Sequence, residues 1–280
     1  MSCAYGHCQP QPIPKAVNLF VKVTDCCNAR CKFCSNGQSH SAISKFNHVK
    51  LWEVVDELRN KGIIINRINI TGGEPSVASD TVNQILEKAA SEPYHNIHLH
   101  LNTNGLLPAS QEMMRLARWN SISMSLHHYD RSKLSEIYGV SLSDKALEFD
   151  NIDLQKVNAS CNLVRGYIDN PAEVENMMKF AISLKLLRLG FVALMKVNDY
   201  CRERYVDFDE INFTYIPHLY FTESRNRGTD CKCSNYLYNH NGKILEVYMR
   251  NYANPNYCES SLLYDGQYLR QGFHDDNIIY

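Results

Sequence analysis

The sequence predicts an α/β fold with a parallel sheet, and two observations support this prediction. Between residues 16 and 195, short β-branched segments alternate with amphipathic segments, which is the pattern of successive βα units. After residue 196 the alternation stops, and Asn241-Gly242 between two β-prone segments predicts a hairpin. We therefore expect a tail at 1–15, βα units at 16–195 and a β-containing extension at 196–280 that covers the open side of the barrel.

Six segments are predicted as strands of the parallel sheet: residues 16–23, 64–71, 96–102, 121–126, 158–164 and 187–195. Apolar residues at the i, i+3, i+4 and i+7 spacing predict a helix with one apolar face. They are Leu51, Val54, Val55 and Leu58. Pro108 and Pro171 begin two further helices, the first predicted over 108–118. Six βα units fit either a partial barrel or an open doubly wound sheet. In both arrangements the loops after the strands meet at one edge, where ligands bind.

Charge and hydropathy restrict the classes of partner. The chain has 29 basic and 30 acidic residues, so its net charge gives no long-range attraction to nucleic acid or to an anionic membrane. No apolar segment reaches the roughly eighteen residues of a membrane span, and the amino terminus lacks the pattern of a signal peptide. We expect a cytoplasmic protein. In that reducing compartment, clustered members of its 11 cysteines are metal ligands or redox groups rather than disulfides.

Three cysteines in the loop after the first strand have metal-ligand spacing. Cys27, Cys31 and Cys34 form the pattern CxxxCxxC. Three thiolates on so short a loop can bind three irons of a cubane iron-sulfur cluster and leave the fourth iron open to a small chelating molecule. A structural zinc site is the alternative, although zinc normally takes four ligands.

The segment TDCCNARCKFC around these cysteines resembles the opening signature of the radical S-adenosylmethionine enzymes, with Phe33 as the aromatic residue before the last cysteine. Cys26 falls where that family usually has no ligand. The resemblance implies a partial (β/α)6 TIM-like barrel over residues 16–195, with a [4Fe-4S] cluster and S-adenosylmethionine as cofactors. It also implies an electron donor such as flavodoxin or ferredoxin, reductive cleavage of S-adenosylmethionine, and hydrogen abstraction from a substrate by the resulting radical.

Further motifs of this resemblance follow the later strands. TGGEP, with Gly72, Gly73 and Glu74, follows the second strand and corresponds to the segment that holds the amino end of S-adenosylmethionine. Thr103 and Asn104 in NTNG and Ser125 in SLHH are further candidates for cofactor contacts. Each of these short polar residues could instead cap a turn.

Four other residues near the predicted strand ends are weaker candidates. Arg165 is placed to pair with a carboxylate of cofactor or substrate if it turns inward, and a surface arginine is the alternative. Met195 resembles a position that packs on the adenine, although a core methionine fits equally well. His127 could orient substrate or relay a proton, and a solvated loop histidine is the alternative. Cys161 is most simply a small buried apolar residue, and the alternative is that it faces the lumen and donates a hydrogen atom to a substrate radical.

Cys231, Cys233 and Cys258 in the extension suggest a second iron-sulfur cluster, since some similar enzymes carry one in a carboxy-terminal extension. The spacing CxC followed by a long gap departs from the usual patterns. Unrelated thiols, or a zinc site completed by a histidine, are the alternatives.

The function predicted from these motifs is a radical S-adenosylmethionine enzyme acting on a small-molecule, nucleotide or natural-product substrate. A peptide-modifying enzyme of the same family is one alternative. The other is a non-catalytic zinc or iron-sulfur binding protein, which would have no need of TGGEP or of the motifs after the later strands.

Overall fold

Six parallel strands lie side by side in chain order at the centre of the structure. They are β1 (Ala16–Lys22), β2 (Ile64–Thr71), β3 (Leu99–Thr103), β4 (Ser121–Ser125), β5 (Val157–Leu163) and β6 (Arg188–Ala193). Every neighbouring pair among them is parallel. The arrangement is the partial (β/α)6 barrel that the sequence predicts. The computed structural model describes residues 13, 15–36, 46–224, 232–251, 261–271 and 278–280.

The first five helices connect successive parallel strands, and a short sixth helix follows β6. They are α1 (His48–Asn60), α2 (Ser79–Ala89), α3 (Pro108–Met114), α4 (Arg131–Tyr138), α5 (Pro171–Ser183) and α6 (Asp199–Glu203). Asn47 and Asn170 cap the first turns of α1 and α5 through their side-chain oxygens, and proline occupies the first turn of α3 and of α5. None of the helices in the described ranges is long and apolar enough to cross a bilayer.

Strands from the last part of the chain extend the sheet at both edges. They are β7 (Leu219–Ser224), β8 (Ser234–His240), β9 (Lys243–Arg250), β10 (Ser261–Tyr264) and β11 (Leu269–Arg270). β9 pairs in parallel with β6, and β10 pairs in parallel with β1. Asn241 and Gly242 join β8 to β9 with φ of 52° and 78°, as a type I′ turn requires, so the predicted hairpin is confirmed. The domain boundary at residue 195 stays a prediction.

Alternate residues of the strands face opposite sides of the sheet. One side packs on α1, α2 and α5 in a single apolar core. The other side, here called the inner face, is mostly polar on β2 to β5. Its polar residues there are Arg67, Asn69, His100, Asn102, Ser121, Ser123, Ser125, Asn158, Ser160 and Asn162. The barrel therefore encloses a surface suited to a polar ligand rather than an apolar one.

Some predicted boundaries are wrong. The third strand begins at Leu99 rather than at residue 96, because the chain before it turns and Ile97 N–H donates to the Tyr94 carbonyl at 2.9 Å. The helix predicted over 108–118 ends at Met114. Helix α4 was not predicted, although Asp130 caps its start and Gly139, with φ of 65°, ends it.

Candidate active site

The cysteine loop and the TGGEP loop are in close backbone contact at the carboxyl ends of β1 and β2. Gly73 N–H donates to the Thr24 carbonyl at 2.7 Å, and Glu74 N–H donates to the Cys26 carbonyl at 2.8 Å. A Cβ atom at Gly73 would lie 1.9 Å from the carbonyl oxygen of Cys26, which is closer than any side chain permits. Glycine at position 73 therefore allows the second loop to support the first.

The thiols of Cys27, Cys31 and Cys34 are partly buried and near enough to interact electrostatically. Burial, reinforced by the other two sulfurs, raises the pKa of Cys31 to about 12. Burial also raises the pKa of Cys27, while the Ala29 N–H, which donates to its sulfur at 3.4 Å, acts in the opposite direction. Crowded thiolates of this kind gain stability from bound cations. The donor set therefore fits an iron-sulfur cluster.

No three Cys, His, Asp or Glu side chains converge on the position of one metal ion in the part of the chain that the structure describes. A cubane cluster does not require such convergence, because each cysteine binds a different iron. The cluster requires three sulfurs on one short loop with space between them. Cys27, Cys31 and Cys34 satisfy the first condition, and the turn in which Cys34 N–H donates to the Cys31 carbonyl at 3.1 Å holds two of them together.

The buried carboxylate of Glu74 connects the loops after β2 and β3. One oxygen accepts from the Thr103 hydroxyl at 2.7 Å, the Ser76 N–H at 3.2 Å and the Ser110 hydroxyl at 3.2 Å. The other oxygen accepts from the Asn104 N–H at 2.8 Å. The side chain is buried, and three of the four donors share one oxygen while the other oxygen accepts a single hydrogen bond. Glu74 therefore fixes the loop geometry in this structure.

Asn104 joins the third loop to the cysteine loop. Its side-chain amide donates to the Asn28 side chain at 2.8 Å and lies 3.9 Å from the sulfur of Cys27. Sequence reasoning singled out Thr103 and Asn104 but missed Asn28 and Ser110. The signal for Asn28 was its position directly after Cys27, whereas Ser110 lies within α3 and has no motif of its own.

His127 lies behind the cysteine loop. Its ring meets the ring of Phe33 edge to face at 5.0 Å, and its Nδ1 accepts from the Asn162 N–H at 3.2 Å. Burial lowers the pKa of His127 to about 3, so the ring is neutral and carries its proton on Nε2. His127 thus packs against Phe33. Whether it also contacts substrate stays a prediction.

Two candidates are placed differently from the expectation. Cys161 lies on the helix-packed side of β5 with Ala159 and Leu163 and is completely buried, so it is a small buried apolar residue and the alternative that it faces the lumen is wrong. The alternation of side chains along β5 turns Ser160 and Asn162 inward instead. Arg165 lies beyond the end of β5, about half exposed, and pairs with Glu210 at 2.6 Å. A protein carboxylate therefore occupies its guanidinium in this structure.

The remaining predicted residues lie at or beyond the carboxyl edge of the sheet, or outside the described residues. Ser125 ends β4 on the inner face, and its carbonyl accepts from the Tyr138 hydroxyl at 2.6 Å. Met195 lies two residues beyond β6 and is partly buried. Cys233 is buried, and its sulfur accepts from the Asn251 N–H at 3.3 Å. Cys231 and Cys258 fall outside the described residues.

Comparison with known protein families covers the loops at this edge of the sheet. The family model for the Radical SAM superfamily matches residues 21–181, which is more than half of the chain and includes the cysteine, TGGEP and NTNG loops. The chain belongs to the radical SAM superfamily. Membership confirms the prediction of an enzyme and the predicted cofactors, a [4Fe-4S] cluster and S-adenosylmethionine. The reaction is not specified by membership.

Curated relatives of this radical SAM protein include several GTP 3′,8-cyclases. The cyclase of Alkaliphilus oremlandii is 27% identical over 203 residues, which cover 68% of this chain and 61% of the relative. The cyclase of Peptoclostridium acidaminophilum is 25% identical over 279 residues, which cover 93% of this chain and 81% of the relative. The match to the first of these cyclases thus spans about three fifths of that protein's length.

Solved structures agree with the radical SAM fold. A radical SAM methyltransferase from Sphaerobacter thermophilus gives a TM-score of 0.58 at 15% identity, over 84% of this chain and 66% of that one. Streptococcus suis SuiB bound to S-adenosylmethionine gives 0.51 at 19% identity, over 68% of this chain and 43% of that one. At these identities the similarity concerns the fold alone.

Proposed function

We propose that this enzyme removes a hydrogen atom from a small polar substrate bound against the inner face of the barrel, and that a purine nucleotide is the first substrate to test. When bound, the cluster and S-adenosylmethionine supply the 5′-deoxyadenosyl radical for that step. The chain itself holds the cofactors through Cys27, Cys31 and Cys34 and the TGGEP loop, and it presents the inner face to the substrate. A flavodoxin or ferredoxin would donate the electron.

The polarity of the inner face is the observation that carries this proposal. On β5, Asn158, Ser160 and Asn162 all face inward and are partly exposed. They offer amide and hydroxyl groups that can donate or accept hydrogen bonds. A polar substrate would satisfy these groups, whereas an apolar one would leave them unpaired at a cost of about 1–3 kcal/mol each.

Positive charge on the same face favours an anionic substrate. Arg250 ends β9 on the inner side, and Arg67 lies on the inner side of β2. Arg188, at the start of β6, is paired with Glu246 at 3.2 Å and does not count toward this charge. The guanidinium groups match phosphate geometry. The names of the curated relatives, which are GTP cyclases, support a nucleoside triphosphate as the anionic substrate.

Anaerobic reconstitution followed by addition of S-adenosylmethionine and dithionite tests the radical step. We expect about four irons for the cluster and formation of 5′-deoxyadenosine, and we expect Cys31→Ala to lose both. GTP labelled with deuterium on the ribose should transfer deuterium to 5′-deoxyadenosine if a purine nucleotide is the substrate. Zinc in place of iron, or no 5′-deoxyadenosine, would favour a binding protein instead.

Transfer of the label from a peptide and not from a nucleotide would favour the peptide-modifying alternative. ATP and CTP labelled in the same way serve as matched probes, because they share the triphosphate and differ in the base. Equal transfer from all three nucleotides would show that the site recognises phosphate and ribose rather than guanine.

A further inference from the structure

Four side chains form a continuous hydrogen-bonded file along the inner side of β3 and β4. His98 Nε2 lies 2.9 Å from the Ser121 hydroxyl, and the same hydroxyl lies 2.7 Å from His100 Nδ1. His100 Nε2 lies 3.0 Å from the Ser123 hydroxyl. All three distances are in the ordinary range of hydrogen bonds in proteins.

The two ends of the file lie in different surroundings. His98 directly precedes β3, at the amino-terminal opening of the barrel, and is partly exposed. Ser123 is partly exposed on the inner face, where it pairs in register with Asn102 and Asn158. His100 between them is buried. The file therefore runs along the inner face, from the amino-terminal opening of the barrel, through a buried ring, toward the part of that face proposed to bind substrate.

His100 is neutral in this setting. Burial, with further contributions from Arg67 and His98, lowers the pKa of His100 to about 3, and a hydrogen bond to Asn102 acts weakly in the opposite direction. A neutral imidazole has one N–H donor and one acceptor nitrogen. The file then has two complete orientations. Either Ser123 donates to His100 and His100 to Ser121, or Ser121 donates to His100 and His100 to Ser123.

We propose that His98, Ser121, His100 and Ser123 form a proton relay between the amino-terminal opening of the barrel and its inner face. A proton enters from water at His98, and each N–H or O–H bond along the file breaks as the next one forms. Ser123 passes its hydroxyl proton to a basic atom of the bound substrate. No electrons are transferred, and reversal of the file moves a proton outward. The identity of the recipient rests on the proposed function.

The test is the tautomer of His100, measured by ¹⁵N NMR of histidine-labelled, reconstituted protein with its cluster oxidised. A relay requires both orientations, so each ring nitrogen of the wild-type residue should give a shift between the protonated and unprotonated values. Ser121→Ala should fix the proton on Nε2, which still donates to Ser123. Ser123→Ala should fix it on Nδ1, which still donates to Ser121. These opposite shifts would not result from a general loosening of the barrel.

Ser121→Thr keeps the hydroxyl and should restore the intermediate shifts. A single tautomer of His100 in the wild-type protein, or the same shift in both alanine variants, would overturn the relay. Formation of 5′-deoxyadenosine is measured in the same samples. Loss of that product with tautomer exchange retained would count against the proposed function alone, and the reverse result would count against the relay alone.

Discussion

The backbones of Gly73 and Cys26 are in direct contact, and no side chain at position 73 would fit between them. The nearest atom to a Cβ at position 73 would be the Cys26 carbonyl oxygen, at 1.9 Å. The contact places the TGGEP loop directly against the cysteine loop, so that the geometry of the metal-binding loop depends on a residue of a different βα unit.

We therefore expect Gly73→Ala to lose iron. The added methyl must push the Cys26 backbone aside, at a cost of about 1–3 kcal/mol in unfolding free energy. Iron content after reconstitution and urea unfolding measure the two effects. Gly190→Ala is the matched control, since a Cβ there would have its nearest neighbour at 3.7 Å. Full iron content in Gly73→Ala would show that the contact does not support the cluster.

Cys27→Ala and Cys26→Ala form a pair that tests which adjacent cysteine is the ligand. The sulfur of Cys27 interacts with those of Cys31 and Cys34, so its loss should remove the cluster and the brown colour of the reconstituted protein. Cys26→Ala should retain both. The visible absorption spectrum and iron content provide the measurement, and loss of the cluster in Cys26→Ala alone would reverse the assignment.

Glu74→Gln should separate the loops after β2 and β3. The amide replaces a carboxylate oxygen with a donor, which then faces either the Asn104 N–H or the Thr103 hydroxyl. Loss of one charge-assisted hydrogen bond costs about 1.5–3 kcal/mol. We expect a lower unfolding midpoint and weaker binding of S-adenosylmethionine by calorimetry. Glu87→Gln, on the exposed side of α2, is the control and should change neither quantity.

Cys233→Ala tests the predicted second cluster. If Cys233 is a ligand of that cluster, its loss should lower total iron by about four per chain while the first cluster stays. The iron count and the yield of 5′-deoxyadenosine together distinguish the two clusters. Cys161→Ala is matched for burial and should keep all the iron. Equal iron content in the two variants would show that Cys233 is a buried thiol and not a cluster ligand.

Acidification should destabilise the protein through His100. Its pKa is about 3 in the folded state, well below the ordinary value of a histidine, so the unfolded chain takes up a proton first as the pH falls. The contribution of neutral, buried His100 to the free energy of unfolding is complete above about pH 6.5. Below that pH it falls by about 1.4 kcal/mol per pH unit. Urea unfolding at about pH 7 and pH 5.5 should show a smaller difference in His100→Gln than in the wild type. An equal difference in both proteins would assign the pH dependence to other groups.

Sequence patterns predicted the fold well because parallel strands alternating with helices have strong local signals. The cysteine spacing and the Gly-Gly pair also act locally. The polar inner face was missed for a different reason. The alternation of serine with apolar residues in SISMS marks two sides of a strand, but only the register with His100 shows that the serines face the barrel interior.

The side of the sheet that Cys161 faces also could not be predicted from the sequence. A residue near a strand end has two possible directions, and sequence position alone does not decide between them. The packing of Ala159 and Leu163 on the helices decides it, because residues two apart along a strand share a side. Likewise Glu210, the carboxylate that pairs with Arg165, lies 45 positions away in the chain and has no motif that marks it.

The pairing of β10 with β1 has a consequence for biogenesis. Ala16–Lys22 is synthesised well before the strand that covers its outer edge, Ser261–Tyr264, because the two strands are far apart along the chain. Until then the nascent protein carries an open edge that can pair with strands of other chains. Chaperone protection during synthesis would therefore matter most in the interval before residue 261 leaves the ribosome.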